Sequence, residues 1–129
     1  MSNTLQSPTA IVKAFLKAIE PLDYDTAVTF LADDCEYTNP PPLGTVRGPA
    51  AVRGAIEPFF APTLANEFRI LREAESGSLV FLERLDRHQL KDKLVELPVT
   101  GVFEVRQGLI TSWRDYFDVA TILSQWPRG

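Results

Sequence analysis

The second half of the chain limits the fold most, because from Glu67 to Asp118 it reads as four long alternating segments cut by turn residues. Phe68 and Ile70 alternate with charged residues up to Ser76. Gly77 supplies a turn, and Leu79 to His88 returns beside the first segment. After the polar connection Lys91-Asp92-Lys93, the segment Leu94 to Val105 places Leu97, Val99, Gly101, Phe103 and Val105 on one face. Gln107-Gly108 then turns the chain into Leu109 to Asp118. Alternation with a period of two marks strands, and turns this short join antiparallel neighbours. A sheet of this kind needs a cover for its apolar face.

The first half supplies helices for that purpose. Ser7-Pro8 is a hydroxyl cap followed by proline at the first helical position, and Ile11, Phe15, Leu16 and Ile19 then recur at helical spacing until Pro21. Asp23 is expected to cap a second helix with Ala27, Phe30 and Leu31 as its apolar stripe, ending at Asp33-Asp34. These two helices are expected to act as a lid. Cys35 to Asn39 reads as a short extended stretch. Pro40-Pro41-Pro42 with Gly44 then excludes both helix and central strand. Gly48-Pro49 starts a further helix, with Val52, Ile56, Phe59 and Phe60 on one side and Pro62 at its end. A helical turn or two over residues 119–126 closes the chain. The order predicts an α+β fold, helices gathered on one face of a curved, mixed but mostly antiparallel sheet, which makes a cone with a pocket.

The 129 residues fit one domain, 1–129, with residues 1–6 expected to be flexible. A net charge of −4 with no basic stripe argues against nucleic acid as a partner. No apolar run approaches the ~18 residues of a membrane span, and the polar start MSNTLQSPT lacks the basic and apolar regions of a signal peptide. A cytoplasmic location is expected. One cysteine, Cys35, and one histidine, His88, make neither an internal disulfide nor a His-rich metal site. Glycine-rich phosphate loops and the serine-hydrolase and zinc-peptidase motifs are missing from the sequence, so no cofactor or metal is expected.

Three segments offer polar side chains on strand faces that are otherwise apolar. Arg84 and Asp86, two apart in LVFLERLDRH, point the same way as Val80 and Leu82. Asp115 shares a face with Trp113 and Phe117, and Tyr37 shares one with Asn39. Buried charge is costly unless it is paired. Taken singly, each has an ordinary structural reading: a strand-end ion pair, a half-buried tyrosine, a turn-opening asparagine.

Together, the phrases YTN, ERLD and GVFEVRQGLITSWRDYFD resemble the limonene-1,2-epoxide hydrolase family, within the cone-shaped superfamily of nuclear transport factor 2, ketosteroid isomerases and SnoaL-like polyketide cyclases. The resemblance implies hydrolysis of a small apolar, terpene-like or cyclic epoxide to a vicinal diol, without a cofactor, by direct attack of water. It implies that Asp86 protonates the epoxide oxygen, that Asp115 is the base on the water and that Arg84 lies between them. Tyr37 and Asn39 then help to hold the water. The residue types suit this chemistry, since ring opening needs an acid at oxygen while a base deprotonates water. Two carboxylates in a dry pocket tend to share one proton.

By parity the pocket is expected to be lined by Leu16, Ile19, Val80, Leu82, Leu97, Val99, Trp113 and Phe117. His88 lies on the same face as Asp86, one step on toward the strand end, where it is expected either to be solvated or to sit at the pocket mouth. Only six residues precede Ser7, so the N-terminal arm of some family members is not expected, which leaves closure of the cavity and the substrate size open but not the reaction. Phe81, Leu85 and Val102 make the opposite face of the sheet apolar too, which predicts a homodimer packed sheet to sheet. Two further readings remain open from sequence: an isomerase or cyclase using one aspartate as base, and a non-catalytic module that binds a small ligand in the cone.

Overall fold

In the computed structural model, residues 6–127 are described. The expected flexible segment at residues 1–6 therefore lies, apart from Gln6, outside the described residues. Four helices and six strands follow the order α1 (Pro8–Ile19), α2 (Tyr24–Ala27), β1 (Leu31–Asn39), β2 (Gly44–Arg47), α3 (Pro49–Phe60), β3 (Ala65–Ser76), β4 (Leu79–Gln89), β5 (Leu94–Arg106), β6 (Leu109–Tyr116) and α4 (Val119–Leu123). The strands form one open sheet in the order β2-β1-β6-β5-β4-β3. All pairings are antiparallel except β1 with β6. Register shifts at Ile70/Arg72 and Glu104/Val105 each leave one extra residue, as in a bulge, which bends and twists a sheet, and the β1–β6 pairing is irregular between Leu31 and Glu36.

Local chemistry sets most element ends. Ser7 Oγ accepts from the Ala10 N–H at 3.1 Å with Pro8 behind it, which fixes the start of α1. Asp118 caps α4 in the same way, through the Thr121 N–H. The helix expected to run from Asp23 to Asp33-Asp34 is corrected: α2 is one turn, a 3₁₀ turn follows over Val28–Phe30, and the chain is extended from Leu31. Leu31 pairs with Ile110 of β6, so sheet hydrogen bonding overrides the helical pattern, and Asp33 and Asp34 sit exposed on the strand. The proline run does exclude a central strand. It instead reverses the chain so that Gly44–Arg47 returns along β1 as an edge strand, which the sequence reading left unassigned.

Burial follows parity closely on β4, where Val80, Leu82, Arg84, Asp86 and His88 are all inward and buried. Two apolar clusters result. The larger joins α1 to the sheet through Ile11, Phe15, Leu16, Ile19, Val80 and Leu82, and the smaller contains Leu90, Val95, Leu97, Val99 and Ile122. α1 is thus a core helix, not the lid expected from sequence. Its stripe is at most 2 % exposed. The space between the clusters is roofed by α3 and α4, with Phe59 stacked on Trp126 at 4.3 Å between centroids.

Candidate active site

The site is built from two strands and a gap in the strand between them. Arg84 and Asp86 project from β4, and Asp115 from β6. Between them runs β5, where Gly101 pairs with Leu82 on one side and Asp115 on the other. Because Gly101 has no side chain, the Arg84 guanidinium can cross β5 and reach β6. A Cβ built there would lie 2.5 Å from Arg84 Nη1 and 3.0 Å from Asp115 Oδ1. Arg84 donates to Asp86 through Nε and Nη2, both at 2.9 Å, and to Asp115 through Nη1 and Nη2, both at 3.1 Å. One planar fork therefore holds two carboxylates in bidentate geometry.

The surroundings keep this network dry. Arg84 is 1 % exposed, Asp86 6 % and Asp115 7 %. The Phe68 ring lies 5.7 Å from the guanidinium carbon. Trp113 Nε1 donates to Asp115 Oδ1 at 2.9 Å, so the Asp115 carboxylate accepts a third donor beyond the guanidinium's pair. Tyr37, opposite Trp113 in the parallel β1–β6 pairing, stacks on its indole at 3.8 Å.

With one cation and two carboxylates, full ionisation would leave a net charge of −1 in a greasy enclosure. A single proton neutralises the set. Burial pushes Asp86 above the usual carboxylate range, aided by the negative charge of Asp115, and the Arg84 guanidinium only partly opposes this. Burial disfavours a charged Arg84, but the two carboxylates outweigh that and hold its proton more firmly than in a free arginine. Tyr37 is shifted upward by burial and by Asp115, so its phenol keeps its hydrogen as a donor. Burial, followed by the nearby Arg84 charge, lowers His88 to about 4.

The charged fork borders a cavity of about 320 Å³. Asp86, Asp115, Tyr37 and Asn39 all line it, and Arg84 is bonded to both aspartates behind the wall, so the five polar residues singled out from sequence gather at one space. Of the eight apolar positions expected on its wall, Leu97, Val99, Trp113 and Phe117 are there. Leu16, Ile19, Val80 and Leu82 are not, and belong to the larger core cluster. Parity gives the face of a strand but not the distance along it: Val80 and Leu82 precede Arg84 on β4, whereas the cavity opens at Asp86 and His88.

The rest of the wall comes from residues that parity did not assign to it. Ile56, Phe59 and Phe60 reach it from α3, Phe68 from β3, and Ile122 and Trp126 from the C-terminal segment. The α3 stripe was visible at helical spacing, but nothing local indicated that it would face a hollow. Of the two places open to His88 from sequence, the solvated one is corrected. His88 is 2 % exposed and lines the cavity, and its Nδ1 lies 2.7 Å from Asn66 Oδ1.

Comparison with known proteins places the chain in a family. The model of the limonene-1,2-epoxide hydrolase catalytic domain matches residues 6–128. The chain is 36% identical over 118 residues to epoxide hydrolase EphG of Mycobacterium tuberculosis (strain ATCC 25618 / H37Rv), covering 92% of this chain and 78% of that protein. It belongs to the limonene-1,2-epoxide hydrolase family. Among solved structures, an M. tuberculosis LEH-like epoxide hydrolase superposes with a TM-score of 0.78 at 32% identity, covering 95% of this chain and 89% of that one. A putative SnoaL-like polyketide cyclase from Shewanella putrefaciens CN-32 superposes with 0.80 at 18% identity, over 95% and 88%. That second likeness shows the shared cone fold alone. As a limonene-1,2-epoxide hydrolase family member the chain is an epoxide hydrolase, and its fold is that of the nuclear transport factor 2-like and SnoaL-like proteins.

Proposed function

We propose that the chain opens a small apolar, cyclic or terpene-like epoxide to a vicinal diol in one step. Asp86 acts as acid, Asp115 as base, and water is the nucleophile. The observation that carries this reading is the double bidentate contact of Arg84 with both carboxylates at the cavity wall. Asp86, raised by burial, gives its proton to the ring oxygen as the C–O bond breaks. The water oxygen bonds to the carbon, and the water's proton passes to Asp115. Tyr37 and Asn39, beside Asp115, hold that water together with it. The pair's single proton then moves from Asp115 back to Asp86, and the guanidinium, bonded to both, stabilises whichever carboxylate is left charged.

An isomerase or cyclase would need one aspartate as base but no second carboxylate on the same arginine. A non-catalytic ligand module would have no use for a protonated acid facing the cavity. The reading is tested by turnover of limonene oxide or cyclohexene oxide to the diol. Asp86→Asn and Asp115→Asn are each expected to lower kcat/KM by about a hundredfold or more with the circular dichroism of the folded protein retained. Wild-type turnover in both folded variants would overturn the assignment.

The outer face of the sheet supports a homodimer. Leu71, Phe81 and Tyr116 are exposed there, at 51%, 38% and 53%. No helix among the described residues is long and apolar enough to cross a membrane.

A further inference from the structure

The cavity has a second polar group, away from the acid pair, that the proposed reaction does not use. His88 follows Asp86 by two residues on β4, which puts the two backbones on the order of 7 Å apart on one face. Around its ring the rings of Phe59, Phe60, Phe68 and Trp126 stand edge to face, with centroids 5.4 to 6.3 Å away. A polar ring in such a setting needs a reason.

Its tautomer can be read from the hydrogen bonds behind it. Thr63 Oγ1 donates its one hydrogen to the Phe60 carbonyl at 2.8 Å, so towards Asn66 it can only accept. The Glu20 carbonyl can also only accept. Asn66 meets both of these, at 2.9 and 3.4 Å, which requires its NH₂ on that side and its carbonyl oxygen towards His88. Asn66 Oδ1 then accepts from His88 Nδ1 at 2.7 Å, so Nδ1 carries the hydrogen. In a neutral imidazole the other nitrogen is a bare acceptor. Among the described residues the one side-chain polar atom both sealed from water and unpaired is Tyr24 Oη. His88 Nε2 has no partner there either, so it opens onto free space, and the space that His88 borders is the cavity.

We propose that His88 Nε2 is a substrate-recognition subsite that accepts a hydrogen bond from a hydroxyl on the far side of the substrate. Among small, mostly apolar epoxides, those that also carry an alcohol are then preferred over their plain hydrocarbon counterparts. This rests on the reading of the cavity as an epoxide site and adds the chemistry of the substrate's other end. An apolar ligand would strip water from Nε2 and leave it unpaired, whereas an alcohol replaces that water. A site built around a buried acceptor discriminates against ligands that lack the donor.

Because His88 is the only histidine, its ring nitrogens can be followed by ¹⁵N NMR in the wild-type protein without ambiguity. The expected spectrum is that of the Nδ1–H tautomer at neutral pH. Cyclohexanol is expected to shift the Nε2 resonance, and methoxycyclohexane, which has no donor, to leave it in place. In turnover, cyclohexene oxide bearing a ring hydroxyl should exceed its methyl ether in kcat/KM by about tenfold or more. That ratio should fall towards one in His88→Leu and recover in part in His88→Gln, which restores an acceptor. A hydrogen found on Nε2, or equal responses to alcohol and ether, would overturn the subsite. An Nε2 response to cyclohexanol with no epoxide turned over would leave the subsite standing and refute the hydrolase chemistry instead.

Discussion

At the scale of single residues, the site depends on an atom that is missing. Arg84 can bridge β4 and β6 only because Gly101 leaves its space on β5 unfilled, and the glycine is needed for this close approach since its backbone is not in the left-handed region. Gly101→Ala would set a methyl group against Arg84 Nη1, Asp115 Oδ1 and Phe103 Cε1. The expected result is a fall in kcat/KM of at least about a hundredfold, since displacing a catalytic group by ~1 Å costs that much. A lowered Tm is expected as well, because part of a buried ion pair is broken. Paired kinetics and thermal unfolding check both; full activity in the variant would mean that the guanidinium does not need to cross β5 there. The sequence made Arg84, Asp86 and Asp115 legible because strand parity fixes which side chains share a face. It did not make the role of Gly101 legible, because a glycine inside a strand looks the same whether it accommodates a ligand, a bulge or a neighbour's side chain. The place of His88 stayed open between solvent and pocket because the rings that bury it arrive from α3, β3 and the C-terminal segment, and its own strand says nothing of them.

At the scale of elements, the long strands were readable because alternation persists over each of them and tight turns fix their partners. The stretch Asp23 to Asp34 was not, since Leu31 is as consistent with a helix stripe as with a strand until β6 is there to pair with it, whereas Cys35 to Asn39 did read as extended. The same limit applies to the roof. α4 is only five residues long, and its position over the cavity depends on apolar contacts of Phe59 and Trp126 that join residues 67 positions apart in the chain. Trp126→Ala removes the stacked ring and opens one wall of the cavity. It is expected to raise KM several-fold for cyclohexene oxide while kcat changes less, since the acid pair lies on strands that the roof does not hold. Steady-state kinetics separates the two; an equal loss in kcat with no change in KM would mean that the roof positions the reacting groups.

At the scale of the whole molecule, the sheet has one face committed to the helices and the cavity, and another that is only partly polar. Leu71, Phe81 and Tyr116 on that outer face are the kind of exposed apolar surface that a second copy covers. A dimer is expected in sedimentation equilibrium, and Phe81→Glu should shift the population towards monomer by placing a charge in the contact. A wild-type monomer at all concentrations would contradict it. The inner face carries the central claim: two aspartates, held by one guanidinium in a dry hollow, deliver water to an epoxide without bonding to it. The most direct measurement is a single turnover with enzyme in excess, in ¹⁸O-labelled water, followed by mass analysis of the diol and of the peptides containing Asp86 and Asp115. The account predicts the label on a diol carbon in that first turnover and none in either carboxylate. Label entering Asp86 or Asp115 while the first diol leaves unlabelled would show an ester intermediate and contradict it.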